Sequence, residues 1–99
     1  MSKLGFTVEG KLDAIKNTEE KGASHFKVRE FILEVDDNGY EQHLKLELAG
    51  DDKVVLLDGF AVGDVVKVSV NIGGRKWNDT AFNSLRCWKL EGDATDPLG

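Results

Sequence analysis

The sequence predicts an all-β domain, a five-stranded OB-fold barrel with a short helix between the third and fourth strands. Three observations predict it. Apolar residues recur at every second position in separate short runs, the period of a half-buried strand. One interior segment, residues 51–60, interrupts that pattern and is framed by aspartates and a glycine. Two polar stretches, residues 17–25 and 73–80, follow the first and fourth runs, where an OB-fold carries its long loops. A small sheet without helices to hide its edges is expected to close on itself. An SH3-like barrel also has five strands, but it lacks the long first strand and the element between strands three and four.

The elements follow in order. Phe6 to Asp13 alternates apolar and polar, and Gly10 inside it marks a bulge or a sharp coil. Residues 17–25 are polar and read as a long loop. Phe26 to Val35 is the second strand, with Phe31, Leu33 and Val35 on one face and Phe26 on the other. Asp36-Asp37-Asn38-Gly39 is a hairpin turn, because Asn-Gly accepts positive φ cheaply. Leu44, Leu46 and Leu48 alternate with His43, Lys45 and Glu47 in an antiparallel third strand. Asp51 or Asp52 is placed to cap a short helical turn that Gly59 ends. Val66 to Ile72 is the cleanest strand, Gly73 to Thr80 reads as a loop, and Phe82 to Leu90 is the last strand. Residues 1–91 are thus one barrel domain, and residues 92–99 a flexible acidic tail.

Ninety-nine residues leave room for one core. No window approaches 18 consecutive apolar residues, so no helical membrane span is expected. No apolar run follows Met1 to Gly5, so no signal peptide is expected either. The one cysteine, Cys87, excludes an internal disulfide and points to a reducing, cytoplasmic setting. One proline and 11 glycines without a period exclude collagen-like and low-complexity classes.

The net charge of −5 argues at first against nucleic acid, but the charge is unevenly spread. Residues 30–64 hold ten acids and two lysines, whereas residues 65–90 hold five basic residues and one acid. Catalysis finds little support. His25, His43 and Cys87 show no metal-ligand spacing, and the aspartate pairs sit in turns, where Asp favours capping. There is no phosphate loop or nucleophile elbow. No catalytic residue, metal or cofactor is therefore expected, and Cys87 reads as a small buried hydrophobe.

Binding has better material. Gripping an unpaired strand takes cations for phosphates and aromatic planes for bases. Lys16, Lys21, Phe26, Lys27 and Arg29 flank the first loop, and Arg75, Lys76 and Trp77 occupy the second. Lys45 faces outward on the third strand, and Phe82, Arg86 and Trp88 lie on the last. Trp77 either stacks a base or folds back as a barrel cap. Phe26 either stacks or lids the barrel end, and Trp88 packs in the strand or joins the aromatic set.

The blocks Val62-Gly63-Asp64, Val68 to Ile72, Arg75-Lys76-Trp77-Asn78, Phe82 and Leu85 to Leu90 resemble a family of short bacterial and phage proteins. That family is catalogued as a domain of unknown function and looks like an OB-fold single-stranded DNA-binding protein. Gly10-Lys11-Leu12, the Phe26 to Glu34 stretch and Leu46-Glu47-Leu48 with Gly50 extend the resemblance over residues 6–91. It implies sequence-tolerant binding of single-stranded DNA, in replication, recombination or repair, by Trp77 and its basic neighbours. Ala49 and Ala81 depart from the family pattern, which favours bulky residues there. A homo-oligomer, dimer or tetramer, is expected, since single OB domains have small sites. Asp93, Asp96 and Pro97 echo the partner-recruiting acidic tip of bacterial single-strand-binding proteins without its terminal aromatic. A protein-interaction barrel and a cold-shock-like RNA-binding module remain the alternatives.

Overall fold

The computed structural model describes residues 3–23 and 25–92. The chain runs through β1 (Gly5–Ile15), β2 (Glu19–Lys21), β3 (Phe26–Asp37) and β4 (Tyr40–Ala49). A short helix α1 (Asp51–Val54) and a 3-10 turn (Val55–Gly59) follow, then β5 (Val65–Trp77) and β6 (Thr80–Gly92). The strand order is β1-β5-β6-β4-β3-β2, and β1 also pairs with β3. Five long strands therefore close into a barrel, and the helix lies between the third and fourth of them, as the sequence predicts. The tail expected over residues 92–99 lies, from residue 93 on, outside the described residues.

Closure rests on β1 serving two neighbours. Gly5 to Lys11 pairs with Asn71 to Val65 of β5, and Lys11 to Ile15 pairs with Glu34 to Phe31 of β3. A strand that changes partner must coil, and Gly10 stands just before the change. A Cβ on Gly10 would lie 2.5 Å from the Glu34 carbonyl oxygen. The glycine therefore marks a close backbone approach. The bulge itself falls at Asp13, between the pairs Leu12↔Leu33 and Ala14↔Ile32.

The core collects the period-two residues: Phe31, Leu33, Leu46, Leu48, Val66, Val68 and Val70, with Leu12 and Cys87. Val54 and Leu57, from α1 and the 3-10 turn, plug the barrel. The helix start differs from expectation. Gly50, at φ 102, is the N-cap, and neither Asp51 nor Asp52 caps with its side chain. The Gly50 carbonyl accepts the Lys53 and Val54 N–H groups at 3.1 and 3.0 Å, so the turn closes through backbone alone. At the β3–β4 hairpin the expected turn forms, with Asn38 at φ 54 and Gly39 at φ 90. The Gly39 N–H donates to Asp36 Oδ1 at 3.0 Å, an extra tie across that turn.

Both expected loops hold strand. Residues 19–21 of the first pair with Val28 to Phe26. The second is a hairpin arm in which Ile72 to Trp77 pairs with Leu85 to Thr80 around Asn78-Asp79. Glycines 73 and 74 read as a loop start, but two facing extended strands accept them. Asn78 supplies the left-handed turn at φ 56. Beyond Ile72 the arm pairs as two strands, because β1 pairing stops at Asn71 and the β4–β6 ladder is the pair Glu47↔Arg86.

Cys87 is 1% exposed, opposite Val70, and its thiol donates to the Lys89 carbonyl at 3.2 Å. Burial pushes the thiol up from its ordinary 9.0 to about 11. The folded chain thus holds this proton more tightly than the unfolded one. Stability from it is whole below about pH 9 and lost as pH rises to about 11. Denaturant titrations should show wild type losing more stability across that window than Cys87→Ala, and a thiol reagent at neutral pH should react only with unfolded chain. Gly10→Ala should cost about 2–3 kcal/mol in urea unfolding, because a backbone oxygen cannot move aside as a side chain can.

Candidate nucleic-acid interface

The β5–β6 arm has two faces. Val66, Val68 and Val70 point inward, so Ile72, Gly74 and Lys76 continue the inner side of β5. Asn71, Gly73, Arg75 and Trp77 continue the outer side. Across the ladder these face Arg86, Ser84, Phe82 and Thr80. The outer face of the arm therefore reads, from tip to root, Trp77/Thr80, Arg75/Phe82, Gly73/Ser84 and Asn71/Arg86. Trp77 is 64% exposed and Phe82 61% exposed. The Gly73/Ser84 pair is the smallest row and sits between two rows of large side chains. A groove of about 520 Å³ opens there, lined among others by Asn71, Arg75, Phe82, Ser84 and Arg86. Rows two residues apart lie about 7 Å from one another on a strand, so Phe82 and Arg86 stand about 13 Å apart across that floor. Such a gap admits a flat ring beside the Phe82 face.

The arm also carries cations without a carboxylate partner. Among the described residues, Arg75 and Lys76 have no carboxylate within ion-pair distance. The other candidate cations are mostly paired. Lys21 is 3.9 Å from Glu19, Lys27 is 3.8 Å from Asp51, and Lys45 is 3.8 Å from Glu30. Arg86 Nη2 is 2.9 Å from Glu47 Oε1. Lys16 is exposed at the end of β1, and its backbone carbonyl is taken by Arg29.

Arg29 does not face open solvent. It lies opposite Leu48 on the core side of β3, and its side chain is 16% exposed. Its Nε donates to the Lys16 carbonyl at 2.9 Å. Its Nη1 donates to the Val54 carbonyl at 3.1 Å and to Asp58 Oδ1 at 2.8 Å. The guanidinium thereby ties the end of β1 to the helical plug.

Trp88 is half exposed for a specific reason. The ladder steps from Ser69↔Lys89 to Val70↔Cys87, leaving Trp88 as the extra residue of a bulge. Its carbonyl accepts the Lys53 ammonium at 3.0 Å, which joins α1 to β6. Phe26 starts β3 opposite Lys21 and is also partly exposed, at the β2 edge. The structure thus brings Arg75, Trp77, Phe82 and Arg86 onto one face. It places Lys76 behind them, and Lys21, Phe26 and Lys27 at the far edge of the sheet order.

The outer face of β3 and β4 has the opposite character. Glu30 lies directly across from Glu47, Ile32 from Lys45, and Glu34 from His43. Ligand atoms of Glu34, Glu41 and His43 lie within 4.8 Å of one another, with the Lys11 ammonium 3.6 Å from Glu34. Spacing along one strand hides this cluster, because its members come from two. The groove residues Asn71, Gly73 and Ser84 were also hidden. The signal for them was the Gly73-Gly74 pair, since glycine inside a strand often marks the close approach of a ligand or another backbone.

Comparisons with known proteins agree with this architecture. The model of the family described as Domain of unknown function (DUF3127) matches residues 7–91. The chain belongs to that family. No curated protein matches the sequence. Among solved structures, the chain is similar to Rim1, a mitochondrial single-stranded DNA-binding protein of S. cerevisiae. That match has a TM-score of 0.73 and 9% identity, covering 89% of this chain and 92% of that one. The SSB domain of a Synechococcus sp. protein matches at TM-score 0.70 and 13% identity, covering 92% and 97%. The N-terminal domain of PriB from Thermoanaerobacter tencongensis, described as dimeric, matches at 0.68 and 18%, covering 93% and 98%. At these identities the likeness shows the fold, an OB barrel. Among the described residues, no helix is long and apolar enough to cross a membrane.

Trp77 and Trp88 are both exposed, Trp77 the more so. Acrylamide should therefore quench most of the tryptophan emission of the folded chain, and Trp77→Phe should remove the larger quenchable share.

Proposed function

We propose that this chain binds single-stranded DNA without strong sequence preference, as a binding protein and not as an enzyme. The observation that carries this reading is the outer face of the arm. Two exposed aromatic rings, Trp77 and Phe82, share it with the unpaired Arg75, above a floor made flat by Gly73 and Ser84. Exposed rings on a two-stranded arm have little to pack on within their own fold, whereas an unstacked base offers a π-face to each of them. Arg75 and Lys76 supply positive charge on both sides of the arm, so a phosphate backbone passing the tip meets cations whichever way it turns. Duplex DNA keeps its bases stacked and presents them poorly to these rings. The fold likeness to Rim1 and to an SSB domain supports the same reading.

In this proposal Arg75, Lys76, Trp77 and Phe82 form the primary contacts. Lys16, Phe26 and Trp88 extend the track, joined by Lys21, Lys27 and Lys45 where their acidic partners yield. Arg29 serves the fold. The role lies in replication, recombination or repair, in the cytoplasm of a bacterial cell or of one infected by phage. A dimer or tetramer would join several short sites into one longer track, and the dimeric description of PriB supports that arrangement.

A gel shift and a tryptophan-quenching titration with oligo(dT) at low salt test the proposal. Wild type should bind and quench, weaken steeply with added salt, and discriminate against duplex. Trp77→Ala and Arg75→Ala should each weaken binding, the tryptophan change by about 1–3 kcal/mol. Unchanged affinity in both would move the site off the arm. Equal affinity for matched RNA would favour the cold-shock-like alternative.

A further inference from the structure

The outer face of the arm and the outer face of β3–β4 adjoin along the contact of β4 with β6. Among the described residues Glu47↔Arg86 is the ladder pair between β4 and β6, and the same two side chains form an ion pair at 2.9 Å. On the arm side of this seam lie Arg75, Phe82 and the groove, with Arg86 as its last wall. On the barrel side lie Glu47, then Glu30 directly across from it, and Glu34 two rows further along. The Glu47 side chain is 22% exposed, so its charge is only partly relieved by water. Two glutamates opposite each other on neighbouring strands repel. Lys45 at 3.8 Å from Glu30 and Arg86 at 2.9 Å from Glu47 offset that repulsion. One Arg86 nitrogen is thus already engaged by Glu47 when a phosphate arrives, on a side chain that is 52% exposed.

Resting on the DNA-binding reading, we infer that Glu47 is the residue that weakens the interface where the arm meets the barrel, by holding Arg86 away from phosphate at that seam. The strand is then held mainly to the arm, and it reaches the β3–β4 face, where an OB-fold ordinarily receives its ligand, only by displacing that carboxylate. A phosphate that reaches the seam must displace a carboxylate from Arg86 and leave Glu47 facing Glu30 without its counter-charge. Arg75 carries no such cost, because no carboxylate of the described residues holds it. The two arginines that line the groove are therefore unequal: Arg75 is free to bind, and Arg86 is restrained.

The test is a set of anisotropy titrations of labelled oligo(dT) at several NaCl concentrations. The proteins compared are wild type, Glu47→Gln, Arg86→Gln, the double variant and Glu34→Gln, each checked for folding by thermal melting. Glu47→Gln should bind about three- to fivefold tighter, the scale of one partly exposed ion pair released. Its dependence of log affinity on log salt should steepen by about 0.7, the increment for one more phosphate neutralised on a single strand. Arg86→Gln alone should change affinity by less than about twofold and should erase the gain when added to Glu47→Gln. Glu34→Gln removes the same charge from the same face away from the seam and should change little.

Equal gains from Glu34→Gln and Glu47→Gln would reduce the effect to the general field and overturn the inference. So would a loss in Arg86→Gln as large as that in Arg75→Ala, since Arg86 would then already be on the strand. If Glu47→Gln melts early, Glu47→Ala should give the same gain, and no gain in either overturns the inference. Failure of wild type to bind any single strand brings down the DNA-binding reading itself. Binding by wild type with no gain from Glu47 variants brings down only this inference.

Discussion

β1 has to hydrogen-bond to β5 along its first half and to β3 along its second, and only a strand that coils hard near Gly10 can do both. That double duty turns an open sheet into a barrel. It leaves the apolar faces of β3, β4, β5 and β6 no outlet but the common interior, which Val54 and Leu57 then plug. It also limits β1 itself. Its pairing with β5 stops at Asn71, so the rest of β5 and its partner β6 continue outward as a two-stranded arm. The arm that carries the candidate interface is a geometric remainder of barrel closure.

Charge follows the same division. Helices are nearly absent, so the outer faces of the strands carry most of the ionisable groups. β3 and β4 supply Glu30, Glu34, Glu41 and Glu47, while the arm supplies Arg75 and Arg86 on that side and Lys76 on its other side. A molecule with net charge −5 thereby presents a local cationic ridge. At physiological salt, screening acts over about 8 Å, so a ligand on the arm feels the ridge more than the total. The ion pairs at the β2–β3 edge and along β4 engage Lys21, Lys27 and Lys45, whereas Arg75 and Lys76 on the arm have no such partner among the described residues.

Much of the fold was legible because period two is hard to mistake. Val66, Val68 and Val70 alternate without interruption, and Asn38-Gly39 signals its turn directly. The arm was less legible. Gly73-Gly74 is a loop signal in isolation, and only pairing with Asn83 and Ser84 makes those glycines part of a ladder. Arg29 illustrates the limit for the site. Beside Lys27 in a basic stretch it looks like a phosphate ligand, yet it buries its guanidinium against carbonyls that are 13 and 25 residues away in sequence. Trp88 carries the converse lesson. Alternation from Leu90 puts it in register with packed residues, and one bulge turns it outward. Residue type marks the candidates, and long-range pairing decides which of them remain free.

The two long hairpins have a kinetic consequence as well. β3–β4 and β5–β6 each turn through two residues, so their ladders form between neighbours in sequence. Closing loops that short takes little entropy and proceeds in microseconds. The β1–β5 ladder instead joins segments some sixty residues apart, as in Phe6 with Val70. Ordering a span of that length is the slow part of assembly for sheets rich in distant pairings. The arm belongs to the early, local hairpin, so its ring-bearing face takes shape before the barrel is sealed.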